Sequence, residues 1–184
     1  MPKVLVPLAQ GCEEMEAVTI IDLLRRAEIE VVTASLTDTP VTASRGTVLI
    51  ADTALDAVVD QAFDMIVLPG GLPGATHLQE DDRIRDLLQR QQSEDRYSAA
   101  ICAAPRVLAA AGLLEGKTAT AYPGALVADD LPLTRLTDAP VEVDGKIVTG
   151  RGPGTAMDFA LQLIEILQGR SKRDSVERDL VRAP

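Results

Sequence analysis

Short apolar runs alternate along this chain with stretches of helical periodicity, and glycine, proline or polar clusters separate them. Residues 3–8 read as a buried strand that Gly11 breaks, and residues 13–27 as a helix with Met15, Val18, Ile20, Ile21 and Leu24 at helical spacing. A second strand covers 29–34. Segments 40–42 and 47–50 predict a small antiparallel excursion about Ser44-Arg45-Gly46. Residues 64–68 form a strand running into Pro69-Gly70-Gly71, residues 82–91 an exposed, charge-rich helix, and residues 99–102 a strand ending in Cys102. A helix over 106–111 follows almost at once. Residues 118–121 give a further short strand, and 141–143 with 146–149 a hairpin across Asp144-Gly145. Residues 155–167 predict an amphipathic helix, with Asp158 in capping-box spacing from Thr155 and Gly169 as its stop. Residues 171–181 read as a charged terminal helix.

This alternation predicts an α/β domain over residues 1–184: a mostly parallel central sheet with helices on both faces. No internal repeat or interdomain linker interrupts it. In such folds ligands bind beyond the carboxyl ends of the strands. Three of those ends carry unusual residues and are expected to meet: 11–16, 69–74 and Cys102.

Composition narrows the partners. A net charge of -10 argues against nucleic acid and against anionic membranes, both of which need a cationic face. With aromatics at 2%, the core must be built from Ala, Val, Leu and Ile. The first residues lack the pattern of a signal peptide, and no apolar run is long enough to span a bilayer. Two cysteines, Cys12 and Cys102, make no disulfide framework, so a reducing cytoplasm is expected. One histidine and no cysteine cluster leave a zinc site to carboxylates alone, so neither metal nor cofactor is expected.

The chemistry centres on Ala99-Ala100-Ile101-Cys102-Ala103-Ala104-Pro105. A strand that bends sharply into a helix lifts the side chain at its apex and turns backbone N–H groups toward it. The apex here is a thiol, a strong nucleophile once ionised. A buried structural cysteine would fit the same segment. An acid beside the sulfur would hold a proton for it, and Glu13, Glu14 and Glu16 all fall in the first turn of the preceding helix. Their chemistry alone does not choose among them; Glu16, followed by Ala17 and Val18, has a slight inward preference. Gly70 and Gly71 let N–H groups crowd a developing oxyanion. A phosphate loop is the other use of such glycines, but no Gly-Lys-Ser/Thr follows. His77 sits in a polar stretch and is expected to face solvent. Arg45 offers a grip on a carboxylate, Gly152-Pro153-Gly154 a pocket wall, and Cys12 a small apolar filler.

Taken together, Gly11-Cys12-Glu13-Glu14-Met15-Glu16, Val67-Leu68-Pro69-Gly70-Gly71, Ala100-Ile101-Cys102-Ala103-Ala104-Pro105 and Arg151-Gly152-Pro153-Gly154-Thr155 resemble the ThiJ/PfpI superfamily, and within it the YajL branch. The resemblance implies a flavodoxin-like three-layer sandwich and a homodimer. It places the reactive cysteine at Cys102 and the acid that faces it at Glu16, with oxyanion-side backbone at Gly70, Gly71 and Ala103. It assigns Arg45 to the anion pocket and Arg26 to a contact from the dimer mate. Where some members carry a histidine, Tyr122 stands here, which argues against a Cys–His protease and leaves a Cys–Glu pair. The activities implied are those of a glutathione-independent glyoxalase or protein deglycase, acting on small reactive carbonyls or glycated protein. A redox-sensing chaperone is the alternative.

Overall fold

In the computed structural model, which describes residues 1–37 and 39–182, the alternation becomes three layers. The strands are β1 (Lys3–Leu8), β2 (Glu30–Ser35), β3 (Val41–Thr42), β4 (Val48–Leu49), β5 (Thr53–Ala54), β6 (Met65–Leu68), β7 (Tyr97–Ile101), β8 (Thr118–Thr120), β9 (Arg135–Thr137), β10 (Val141–Asp144) and β11 (Ile147–Gly150). The helices are α1 (Glu14–Arg26), α2 (Gly74–Glu80), α3 (Asp82–Ser93), α4 (Pro105–Ala110), α5 (Ala156–Gln168) and α6 (Arg170–Asp179). The central sheet runs β10-β11-β7-β6-β1-β2-β5 and is parallel throughout except for the β10–β11 hairpin. From β1 the chain builds outward through β2 to β5, then returns to the other side with β6. The switch point, where such folds open a crevice, therefore lies between β1 and β6.

The strands bury both faces, and their side chains divide by alternation. Val4, Val6, Met65, Val67, Ala99 and Ile101 face a layer made by α1 and α5, with Ile20, Leu24, Phe159 and Leu163. Leu5, Ile66, Leu68 and Ala100 face the layer of α2, α3 and α4, with Leu78, Ile84, Leu88 and Leu108. Few aromatics are needed because small strand residues let the helices sit close; Phe63 and Phe159 are the bulky exceptions. No helix among the described residues is long and apolar enough to cross a membrane.

Three expectations need correction. The buried stripe of α1 is Glu16, Ala17, Ile20, Leu23 and Leu24, while Met15 and Val18 are exposed. A helix turns about 100° per residue, so turning Glu16 inward rotates Met15 out. Thr155 forms no capping box with Asp158. Its hydroxyl bonds back to Gly152, whose N–H it accepts at 3.2 Å and whose carbonyl it reaches at 3.1 Å. His77 is half-buried on α2, with Nδ1 2.9 Å from the Gln10 carbonyl oxygen, so it does not simply face water. The expected strand over 118–121 is present as β8, outside the central sheet. It pairs with β9, which the pattern did not show, and is tied to the sheet by the Thr120 amide donating to Thr149 Oγ1 at 2.9 Å.

Candidate active site

Three loops at the carboxyl ends of β1, β6 and β7 converge beside the switch point. The β1 loop and the β6 loop interlock. The Glu13 amide donates to the Gly70 carbonyl at 2.9 Å, and the Gly70 amide donates to Glu16 Oε2 at 2.8 Å. Only glycine fits here. A Cβ on Gly70 would lie 2.7 Å from both Cys102 Cβ and Glu16 Oε2, and one on Gly71, at φ +88°, would lie 2.4 Å from the Glu13 nitrogen. These distances also show how closely Cys102 and Glu16 approach, since one missing methyl separates them. Glu13 caps α1 through its carboxylate, which accepts the Glu16 amide at 2.8 Å. Glu14 pins the β3–β4 turn, accepting from Ser44 Oγ and from the amides of Arg45 and Thr47. The three acids that sequence left undivided thus have three different tasks, and Glu16 is the one turned into the core.

Cys102 sits at the bend with φ +63°, a left-handed conformation that costs a non-glycine residue about 1 kcal/mol. Bonds on both sides over-determine it: its amide donates to Gly150 O at 3.0 Å, and its carbonyl accepts the Tyr122 amide at 2.8 Å. The side chain is 7% exposed, enough to be reached from one side, whereas Glu16 is fully buried. Burial pushes the Glu16 carboxyl up to about 7, against the pull of the Cys102 and Gly70 donors. Burial and then the neighbouring carboxylate push the Cys102 thiol up to about 12, while the N–H groups of Gly71 and Ala103 act in the opposite sense. An independently ionised thiol is therefore not what this geometry builds. With Glu16 charged the sulfur keeps its proton, so a thiolate forms when Glu16 holds the proton instead. The two groups titrate as one pair. Glu16 Oε1 is buried with no other partner, which leaves it for that exchange.

Of the three expected oxyanion donors, Gly70 has its N–H committed to Glu16, leaving Gly71 and Ala103 beside the sulfur. Tyr122 stands 53% exposed at the mouth, between two cavities. Pro153 follows Gly152, where an added Cβ would meet the Tyr122 ring at 3.4 Å. The structure does not bring the two expected arginines to the sulfur within one chain. Arg45 is exposed, its guanidinium donating to the Ser44 carbonyl at 3.3 Å. Arg26 lies in the last turn of α1, about 15 Å along the axis from Glu16, and is paired with Asp22. What sequence reasoning missed is a groove of about 620 Å³ that begins at Ala103 and Tyr122 and is also lined by Leu72, Gln79, Arg106 and Val127. Its signal was present: Arg106 falls in the first turn of the helix that follows the elbow.

Residues 2–166 match the DJ-1/PfpI family. The chain belongs to that family. Protein DJ-1 homolog A of Arabidopsis thaliana is 44% identical over 98% of this chain, which spans about half (47%) of that relative's length. Toxoplasma gondii DJ-1, solved in an oxidized form, is 42% identical and superposes with a TM-score of 0.93, covering 100% of both chains. A Caenorhabditis elegans protein named glutathione-independent glyoxalase DJR-1.2 is 34% identical, over 93% of this chain and 91% of its own. The flavodoxin-like layering expected from the motifs agrees with the DJ-1 structure.

Proposed function

We propose that this DJ-1/PfpI chain is a glutathione-independent glyoxalase or deglycase that acts on 2-oxoaldehydes through the pair Cys102–Glu16. The observation that carries it is a fully buried carboxyl, pushed up to about 7, set against the thiol of a strained elbow. Such a group can both take and return a proton near neutral pH. Cys102 Sγ attacks the aldehyde carbon while its proton passes, by way of Glu16, to the carbonyl oxygen, giving a hemithioacetal. Glu16 then removes the hydrogen from that carbon and the adjacent ketone oxygen is protonated. The resulting enediol is reprotonated at the former ketone carbon, leaving a thioester of a 2-hydroxy acid. Water hydrolyses the thioester and restores the thiol. The amides of Gly71 and Ala103 stabilise the oxyanions, each donor worth about a hundred- to thousandfold in rate. The C. elegans relative's name supports the reaction class.

A homodimer belongs to the same proposal. Met15, Val18, Val48 and Ile50 are exposed on α1 and on or beside the hairpin that Glu14 holds to it. Pairing through this face would let a second copy supply the anion-binding role assigned to Arg26. A monomer in sedimentation would remove that role.

The function is tested by mixing the protein with methylglyoxal without glutathione and following lactate. Turnover that Cys102→Ser leaves intact would overturn it. The second proposal, a redox sensor, draws on the same proton. Two equivalents of peroxide oxidise the thiol to a sulfinic acid with release of water, and a protonated Glu16 would donate to the sulfinate. Intact mass after mild peroxide, with no carbonyl turnover, would favour it.

A further inference from the structure

The groove that Ala103, the residue after Cys102, helps to line is larger than methylglyoxal needs. Its apolar lining includes Leu72, Leu126, Val127 and Leu131, and among its described lining residues the one cation is Arg106. Gln79 holds this side chain, with Arg106 Nε donating to Gln79 Oε1 at 2.7 Å, so the guanidinium is positioned by a neutral partner. Several arginines elsewhere are neutralised, Arg26 by Asp22, Arg83 by Asp56 and Asp81, and Arg151 by Asp138; Arg90, also without an ion pair among the described residues, is spent on the backbone carbonyls of Val59 and Gln61, outside the groove. No carboxylate among the described residues forms an ion pair with Arg106. Asp130, the acid in the same lining, is solvent-exposed. A partly buried guanidinium held by a neutral amide suits a carboxylate ligand.

We infer that Arg106 selects substrates whose reactive aldehyde is tethered through a short apolar chain to a carboxylate. This rests on the Cys102–Glu16 proposal and names its substrate class. Cys102 would take the aldehyde at the elbow, the spacer would lie along Leu72 and Tyr122, and the carboxylate would meet Arg106. The chemistry is the one already written, ending in a 2-hydroxy dicarboxylate.

Three substrates test this in the full chain: γ,δ-dioxovalerate, its uncharged methyl ester and methylglyoxal. The expected result is a kcat/KM about thirtyfold higher for the acid than for its ester, the range of a charge-assisted hydrogen bond. Arg106→Gln erases that ratio and leaves methylglyoxal within about twofold, whereas Asp130→Asn widens it. Equal use of acid and ester by the wild type, or equal loss on all three substrates in Arg106→Gln, would overturn the assignment. If none of the three turns over, the glyoxalase proposal fails instead. A separate readout then decides Arg106. Levulinate, which keeps the carboxylate but has no aldehyde, should slow iodoacetamide labelling of Cys102 in the wild type and not in Arg106→Gln. Equal protection in both proteins would sink the inference.

Discussion

The two cysteines make a natural comparison. Cys12 and Cys102 both lie at loops beyond strand ends, and both pack in the same apolar layer. Cys12 is fully buried, its amide bonded to Ala9 O and its carbonyl taking the Ser44 amide, and burial pushes it up to about 11. The acids near it, Glu14 first, only raise it further. Cys102 is raised too, but its acid is Glu16, buried and itself lifted toward neutrality, and two backbone donors pull the other way. A thiol beside a carboxylate that hydrogen bonds hold charged, as Ser44 and the Arg45 and Thr47 amides hold Glu14, is an inert filler. A thiol beside a buried one shares its proton. The difference lies in the neighbour's solvation rather than in the cysteine.

The comparison can be broken at several points. The largest effect should come from Cys102→Ser, which is expected to lose a thousandfold or more, about 4 kcal/mol, of carbonyl turnover. Glu16→Gln keeps the shape and removes the proton store; a loss of about a hundredfold in kcat is expected. Gly70→Ala drives a methyl into Cys102 and Glu16 and should cost about 2–3 kcal/mol in urea unfolding.

The pH dependence of stability comes next. Glu16 has its folded pKa raised from 4.5 to about 7, so the native state binds the proton more tightly than the unfolded chain. That contribution is fully present below 4.5 and is lost as pH climbs through 7. It is about 3 kcal/mol. Glu16→Gln should therefore gain stability over the wild type between pH 5 and pH 8, by about that amount. Smallest is Cys12→Ala, with turnover within about threefold and about 1 kcal/mol of stability lost. A Cys12 variant as damaging as Cys102→Ser would erase the contrast.

Much of this was legible in the chain. A mostly parallel sheet with helices on both faces follows from apolar runs separated by helical periods, and the elbow follows from an apolar strand ending in cysteine just before a helix. The short edge strand β5 and β9 were not legible, because two or three residues carry no period. Nor was the rotation of α1. A glutamate at an inward position reads as polar, so the pattern assigned Met15 and Val18 to the core. What decides between them is an amide donated by Gly70 from another loop, a long-range contact no local pattern contains. For the same reason, the committed N–H of Gly70 emerged only once the chain was folded.

The claim that Cys102 and Glu16 titrate as one pair is tested most directly by the pH dependence of iodoacetamide labelling at Cys102, read by peptide mass in the wild type and in Glu16→Gln. The account predicts a step in wild-type labelling near 7 that vanishes in the variant. Identical profiles in the two proteins, both rising only near the pKa of about 8.5 of a free thiol, would contradict it.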